Sequence, residues 1–166
     1  GVIFISGSAG SGPLDLDATP LKHSGQEKVY AVPLMEAGYT TFAINHRAAP
    51  RFTFPDAIED AKRAVRFVRH HAETYGIRAD RIGALGGSSG GHLALTLGFK
   101  QADGDPASGD SLLRESANVQ CVVARAAPSN FLLDDQTSYA FLRCRPPAEG
   151  DMTSTEYQIH RDASPI

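Results

Sequence analysis

The chain has 166 residues, of which 42% are hydrophobic and 21% charged, with a net charge of −3 and two cysteines. This length suits one domain with a real core, and the acidic balance gives no basic surface for nucleic acid or anionic lipid. No apolar stretch approaches the roughly 18 residues that cross a bilayer, and two cysteines form neither a disulfide framework nor a metal site.

The first half of the chain alternates strands with helices. Val2 to Ile5 is an apolar run typical of a buried parallel strand, and a loop rich in Gly and Ser follows it. Residues 29–37 predict a helix that ends before Gly38, and residues 40–44 predict a second strand. The clearest helix spans residues 55–75, where apolar side chains recur every three or four positions.

The second half continues the alternation and then loses its periodicity. Residues 81–85 predict a third strand and residues 90–99 a helix. A polar surface insertion is expected over residues 101–117, followed by a fourth strand over 119–124. We interpret residues 128–166, which contain four prolines, as loop with short helices and as a lid segment.

This order of elements predicts an α/β fold. Strands that alternate with helices form right-handed βαβ units, so we expect one domain over residues 1–166 with a doubly wound, mostly parallel sheet and helices on both faces. Ligands of such sheets bind at the carboxyl ends of the strands. Both glycine-rich loops, after the first and third strands, are expected at that edge and form one candidate site.

The third strand runs into the pattern Gly-x-Ser-x-Gly, from Gly87 to Gly91, and an apolar helix follows. A sharp bend from strand to helix would expose Ser89 at its apex, where a serine hydroxyl can act as a nucleophile. Gly87 and Gly91 would be needed because side chains there would collide as strand and helix close together. We predict Ser89 as the nucleophile; a plain glycine-rich turn is the structural alternative.

Attack by a serine on an acyl carbon places negative charge on the former carbonyl oxygen. Backbone N–H groups that already point at this oxygen lower the barrier by several kcal/mol, about 3 for one donor. The N–H of Gly90, directly after Ser89, is one predicted donor. The loop Gly7-Ser8-Ala9 after the first strand is placed to supply others. A structural turn is again the alternative, because such loops are common in doubly wound sheets.

Three stretches carry a family resemblance. Residues Asn45 to Pro50 resemble the pattern Asn-Tyr-Arg-x-x-Pro, residues 54–64 resemble the helix that follows it, and residues 75–91 resemble a nucleophile elbow with its strand. Together they resemble the α/β-hydrolase fold, within it the carboxylesterase branch related to hormone-sensitive lipase and to small acetyl and feruloyl esterases. The resemblance implies hydrolysis of small carboxylic esters through an acyl-enzyme, without metal or cofactor, with Ser8 and Ala9 as oxyanion donors.

The sequence departs from that family in two places. The family usually has His-Gly-Gly-Gly after the first strand, where this chain has Ser6-Gly7-Ser8-Ala9. The family order is nucleophile, then acid, then histidine on later strands, so we expect the acid and the histidine outside this chain. Asp134 and Asp135 are weak candidates for the acid.

The six histidines give no convincing base. We expect His70 and His71 to face solvent and His92 to pack or form a hydrogen bond within its helix. His46 replaces the family's tyrosine and is expected at the edge of the site, while no strand precedes His160.

Two other functions stay open. The run Ser6 to Gly12 resembles, one residue short, the glycine-rich loop of nicotinamide-dependent short-chain dehydrogenases, but no Tyr-x-x-x-Lys pair is present. A non-catalytic binding module related to the α/β-hydrolases is the second alternative. Tight binding of a nicotinamide cofactor would favour the first, and absence of labelling by a serine-reactive fluorophosphonate in the complete polypeptide would favour the second.

The ends of the chain suggest a truncated core. The chain begins at Gly1 and ends at Ile166 without a closing helix. We therefore expect association with a missing carboxyl-terminal part or a homo-oligomer, and a cytoplasmic location.

Overall fold

The computed structural model describes residues 1–7, 20–23, 25–49, 51–133, 139 and 141–165. Four strands of this part of the chain form one parallel sheet in the order β2-β1-β3-β4: β1 (Val2–Ile5), β2 (Thr41–Ile44), β3 (Gly83–Gly87) and β4 (Cys121–Arg125). The predictions that concern Ser8, Ala9, Asp134 and Asp135 lie outside the described residues.

The strands end together at one edge of the sheet. Ile5 at the end of β1 pairs with Ile44 of β2 and with Gly86 of β3. Gly87, the last residue of β3, pairs with Arg125 of β4. The loops that follow β1 and β3 therefore begin side by side, as the predicted common site requires.

Helices cover both faces of the sheet. The longer helices of the described chain are α1 (Gln26–Glu36), α2 (Phe54–His70), α3 (Ser89–Phe99) and α4 (Thr155–Ala163). Tyr30 of α1 stacks on Phe4 of β1 with ring centroids 5.9 Å apart, while Ile3 and Ile5 join side chains of α2 and α3 in the main core. Successive side chains of a strand point to opposite faces, so α1 lies opposite α2 and α3. The predicted doubly wound α/β fold is confirmed.

Helix α2 forms for the reasons that its sequence suggests. Its apolar residues Ile58, Ala61, Val65 and Val68 are buried on one side, in steps of three and four. A proline in the first turn costs no hydrogen bond there, because the first N–H groups of a helix have no partner within it. The helix ends at His70, and turns then lead to Gly76, whose φ of +63° is left-handed.

Several boundaries differ from the predicted ones. Helix α1 begins at Gln26, three residues before the predicted start, and α2 ends five residues before residue 75. Strand β3 begins and ends two residues later than predicted, at Gly83 and Gly87. The reason is its pairing with β4, which continues to Gly87 and Arg125.

The insertion over 101–117 and the carboxyl-terminal segment both pack on the helices. Two arginines of α2 donate to backbone carbonyls at the end of the insertion, Arg66 to Glu115 and Arg69 to Asn118. In the carboxyl-terminal segment, the Phe131 N–H donates to the Ser164 hydroxyl at 2.9 Å. A lid role for residues 128–166 stays a prediction.

One side-chain bond joins α1 to β4. The guanidinium Nη1 of Arg125 donates to the hydroxyl of Tyr30 at 2.8 Å. Arg125 is the residue at which β4 ends, so this bond lies near the edge where the loops of the candidate site begin.

Candidate active site

The turn between β3 and α3 has Ser88 at its apex. Strand β3 ends at Gly87, α3 begins at Ser89, and Ser88 between them has φ 53° and ψ −126°. A positive φ is uncommon for a residue with a side chain, and such strain costs of order 1–3 kcal/mol, which the surroundings must supply. Two backbone bonds hold it: the Ser88 N–H donates to Arg125 O at 2.9 Å, and Ser88 O accepts from the His92 N–H at 3.0 Å.

The predicted position of Ser89 at this apex is wrong. Ser89 is the first residue of α3 and is only 3% exposed, whereas Ser88 is exposed. Strand β3 ends at Gly87, which pairs with Arg125, and the Ser88 N–H bonds to Arg125 O. The turn with positive φ therefore falls on Ser88, and Ser89 already begins α3.

The tight contacts between glycines agree with an apex at Ser88. A Cβ on Gly86 would lie 2.3 Å from the carbonyl oxygen of Gly90, and a Cβ on Gly90 would lie 2.0 Å from the carbonyl oxygen of Ile5. Gly87, predicted to be required for packing, has room, because the nearest atom to its Cβ would be 4.0 Å away. Gly91 is crowded, with Ala127 Cβ at 2.9 Å.

The sequence contains the signal for this arrangement, because the pattern Gly-x-Ser-x-Gly occurs twice in overlapping registers. Gly86 to Gly90 centres it on Ser88, and Gly87 to Gly91 centres it on Ser89. Both registers fit the pattern equally well. In the structure, the end of strand β3 and the crowding at Gly86 and Gly90 distinguish them, and both depend on residues that are distant along the chain, Arg125 and Ile5 among them.

The move of the apex also changes which N–H group follows the exposed serine. The N–H directly after Ser88 belongs to Ser89, at the first position of α3, and that of Gly90 comes one residue later. The first N–H groups of a helix point out of its amino end, where the helix dipole favours negative charge. The loop after β1 lies beside them: a Cβ on Gly7 would be 3.1 Å from the Cβ of Ser88.

His46 lies near this loop, at the end of β2. Its Nε2 is 3.1 Å from the carbonyl oxygen of Ser6, and its Nδ1 is 2.8 Å from that of Arg47. The guanidinium of Arg47 in turn donates hydrogen bonds to the carboxylates of Asp60 and Asp56 on α2. The Asn45 to Pro50 stretch is therefore attached to both the first loop and α2.

The later histidines bond to backbone. His92 is buried, and its Nε2 is 2.7 Å from the carbonyl oxygen of Ala163. Burial lowers the pKa of His92 to about 4, although the bond to Ala163 acts in the opposite direction. His160 is also buried, with Nδ1 2.8 Å from the carbonyl oxygen of Glu156. His92 packs as predicted, but its partners lie outside its own helix. Three aromatic rings surround it: Phe54, Phe131 and Phe141.

The two histidines on α2 differ in exposure. His70 is exposed, as predicted, and its Nδ1 is 3.1 Å from Glu115 Oε1. His71 is half-buried and packs its ring on Phe67 with centroids 4.3 Å apart. Neither contacts the turn at Ser88 through any bond described for these residues.

A small recess, mostly apolar, lies beside the elbow. Ser89 and His92 of α3 line it together with His46, and aromatic rings complete the wall: Phe52, Phe54 and Phe141. Within the described residues, His, Cys, Asp and Glu side chains form no group of three that could hold a metal ion. In that same part of the chain, no helix combines the length and apolar character needed to cross a membrane.

Comparisons with known proteins bear on the family and the fold of this chain. The sequence matches the BD-FAE family over residues 2–164. LipM of Mycobacterium tuberculosis, described as a probable carboxylic ester hydrolase, is 43% identical over 95 residues, which cover 48% of this chain and 22% of LipM.

Two solved structures superpose on nearly the whole chain. A truncated carbohydrate esterase from gut microbiota has a TM-score of 0.73 and 27% identity, covering 99% of this chain and 60% of that one. An acetyl ester-xyloside bifunctional hydrolase from Caldicellulosiruptor lactoaceticus has a TM-score of 0.69 and 26% identity, covering 94% of this chain and 54% of that one. The chain thus spans little more than half the length of these two structures and about a fifth of LipM.

Proposed function

Because this chain belongs to the BD-FAE family and has the α/β-hydrolase fold, we propose that it forms part of a serine hydrolase that cleaves carboxylic esters at Ser88. The observation that carries the proposal is the exposed Ser88 at positive φ between β3 and α3, enclosed by closely packed glycines. Such a bend holds a serine oxygen clear of its neighbours beside a helix amino end.

The reaction proceeds in two steps. Ser88 Oγ attacks the ester carbonyl carbon and loses its proton to a base, and the tetrahedral intermediate expels the alcohol to leave an acyl-enzyme. Water then attacks the acyl carbon, and the carboxylic acid leaves as Ser88 regains its proton. The Ser89 N–H is the proposed oxyanion donor in place of the Gly90 N–H, together with the N–H groups of Ser8 and Ala9.

The base and the acid of the triad are proposed to come from outside these residues. His92 and His160 are buried with a ring nitrogen on a backbone carbonyl, and His46 bonds to the loop after β1. These positions support structural roles for the three side chains. The order nucleophile, acid, histidine that the family resemblance implies agrees with this proposal.

Small-molecule esters are the proposed substrates. The two structural relatives are described as a carbohydrate esterase and an acetyl ester-xyloside hydrolase, so acetylated sugars are the first natural esters to test. The relatives are esterases and hydrolases, which does not favour a nicotinamide-dependent dehydrogenase or a non-catalytic binding module. A cytoplasmic location, a homo-oligomer and the absence of nucleic-acid binding stay predictions.

The test is to locate the reactive serine in the full-length gene product. A fluorophosphonate probe followed by peptide mass spectrometry is expected to find the adduct on Ser88. Ser88→Ala should lower kcat on p-nitrophenyl acetate by at least about 10³-fold. The matched variant Ser89→Ala keeps its backbone N–H and should change kcat by less than about tenfold. An adduct on Ser89, or an active Ser88→Ala protein, would overturn the proposal.

A further inference from the structure

One side chain binds both backbone polar groups of Gly7. The Gly7 N–H donates to Gln26 Oε1 at 3.1 Å, and the Gln26 Nε2 amide donates to Gly7 O, also at 3.1 Å. Gln26 is the first residue of α1, and 19 positions separate it from Gly7 along the chain. The carboxamide therefore acts on Gly7 as a neighbouring strand would, with one donor and one acceptor.

A second side chain holds the same peptide group from the other side. The carbonyl of Ser6 and the N–H of Gly7 belong to one peptide unit, and Ser6 O lies 3.1 Å from His46 Nε2. This peptide unit is thus bonded at its carbonyl from the end of β2 and at its N–H from α1. Ser6 is fully buried, so little solvent competes for these bonds.

The backbone held in this way forms the wall beside the proposed nucleophile. A Cβ on Gly7 would come within 2.6 Å of Gly87 O and 3.1 Å of Ser88 Cβ, so the two backbones are in contact. A shift of Gly7 by a fraction of an ångström would move this wall relative to Ser88. The Gly7 N–H itself is occupied by Gln26 Oε1, which excludes it as an oxyanion donor.

We propose that Gln26 is a positioning residue for ester hydrolysis at Ser88. Its carboxamide fixes the Gly7 backbone against the elbow, so that the acyl group meets a rigid wall as the tetrahedral intermediate forms. The inference rests on the proposed function. A group that acts on the transition state more than on the bound ester changes kcat and leaves KM nearly constant.

Two variants of the full-length protein test this role. Gln26→Met keeps the length of the side chain and removes both bonds, so kcat should fall at least about tenfold with KM within about threefold. Gly7 amide hydrogen exchange should also become faster in this variant. The matched control is Gln120→Met. Gln120 Oε1 also accepts from a backbone N–H, that of Ile82 at 2.8 Å, but at the amino-terminal ends of the strands, away from Ser88. This control should leave kcat unchanged.

Gln26→Glu gives a second, pH-dependent readout. An ionised Glu offers no donor to Gly7 O, whereas a protonated Glu offers one donor and one acceptor, as Gln does. The ratio of the variant's kcat to that of the wild type should therefore rise at least about fivefold from pH 8 to pH 5. A purely structural role would lower this ratio equally at all pH values. If Gln26→Met does not fold, this ratio decides the question.

The inference is overturned if Gln26→Met retains kcat within about twofold of the wild type, if its loss appears only in KM, or if the Gln26→Glu ratio is flat with pH. Failure of the proposed function is distinguishable from these outcomes. In that case the wild-type protein itself would carry no fluorophosphonate adduct on Ser88, or Ser88→Ala would remain active.

Discussion

Gly86 and Gly90 face each other across the bend at Ser88 with no room for a side chain between them. The last residues of β3 and the first turn of α3 are in direct backbone contact here, because a Cβ on Gly86 would lie 2.3 Å from Gly90 O and 2.8 Å from Gly91 N. This contact fixes the angle at which the chain reverses. The exposure of the serine hydroxyl depends on that angle.

Alanine substitutions at the adjacent residues Gly86 and Gly87 should therefore affect stability very differently. Gly86→Ala forces the strand and helix apart and should lower the free energy of unfolding by about 3 kcal/mol, with loss of fluorophosphonate labelling. Gly87→Ala, whose Cβ would meet no atom closer than 4.0 Å, should change stability by about 0.5 kcal/mol or less. Urea denaturation measures both. Equal effects would contradict the assigned register of the bend.

Asp60 should contribute more to stability than Asp56, although both bind Arg47. The Asp60 carboxylate accepts from the backbone N–H of Arg47 and from its guanidinium, whereas the Asp56 carboxylate accepts one bond at 2.7 Å. Asp60→Asn should lower the free energy of unfolding about twice as much as Asp56→Asn. Chemical denaturation at low salt measures this difference.

The effect of Asp60→Asn should depend on pH in a defined direction. Partial burial alone would raise the pKa of Asp60, but the hydrogen bonds and the positive charge of Arg47 together outweigh burial and lower the pKa. A carboxyl group with a lowered pKa stabilises the folded state above its unfolded pKa of about 3.9, and this stabilisation is lost as the pH falls through the folded pKa. The difference between wild type and Asp60→Asn should therefore shrink below about pH 4.

His92 should make the protein less stable in mild acid. Its pKa is lowered from 6.5 to about 4, so the unfolded chain binds a proton between these values and the folded chain does not. This difference in proton binding adds about 3 kcal/mol to the free energy of unfolding above pH 6.5, relative to the value at low pH. The gain is lost as the pH falls towards 4. Stability of the wild type relative to His92→Phe should fall by this amount from pH 7 to pH 4.

Phe131→Leu is the matched control for His92. It removes a ring that contacts His92 at a centroid distance of 4.9 Å and keeps the imidazole. This variant should be less stable at every pH, and its stability should still fall between pH 7 and pH 4 because the imidazole is kept. A wild type and a His92→Phe protein with parallel pH profiles would contradict the buried neutral state of His92.

Residues 1–166 alone should turn over p-nitrophenyl acetate only slowly. Because the base is proposed to come from outside these residues, the elbow and oxyanion donors alone should leave about 10³–10⁴-fold acceleration over water. The full-length gene product should exceed the activity of this piece by at least about 100-fold in kcat. Rapid turnover by the purified 166-residue polypeptide would mean that a base is present within it.

The sequence predicts most of the fold because local patterns determine it. The spacing of Ile58, Ala61 and Val65 marks the buried side of α2, and the apolar run at β1 marks a central strand. Strand boundaries that depend on pairing with residues far along the chain are harder to predict from the sequence. Strand β3 extends to Gly87 because Arg125 pairs with it, and no local pattern near the glycines contains that information.

The same holds for the candidate site, where local patterns predict one part and contacts between distant residues determine the rest. A serine elbow at the end of the third strand is predictable from the overlapping glycine patterns, but the choice of Ser88 over Ser89 requires the end of β3. The bonds from Gln26 to Gly7 join the start of a helix to a loop through a side chain, and no motif marks Gln26. A packing role for His92 is predictable from its place directly after the elbow, but its partners in other segments, such as Phe131 and Ala163, are not.

Two side chains of helix α1 form hydrogen bonds to residues on either side of Ser88. Gln26 bonds to Gly7 on one flank, and Tyr30, about one turn later, accepts a bond from Arg125, whose carbonyl fixes the Ser88 N–H on the other. A chimera that exchanges this helix for that of a relative would have to transplant both side chains together. Without Gln26, Gly7 would lose both of its bonds to this helix, and without Tyr30 the guanidinium of Arg125 would lose its bond to the same helix.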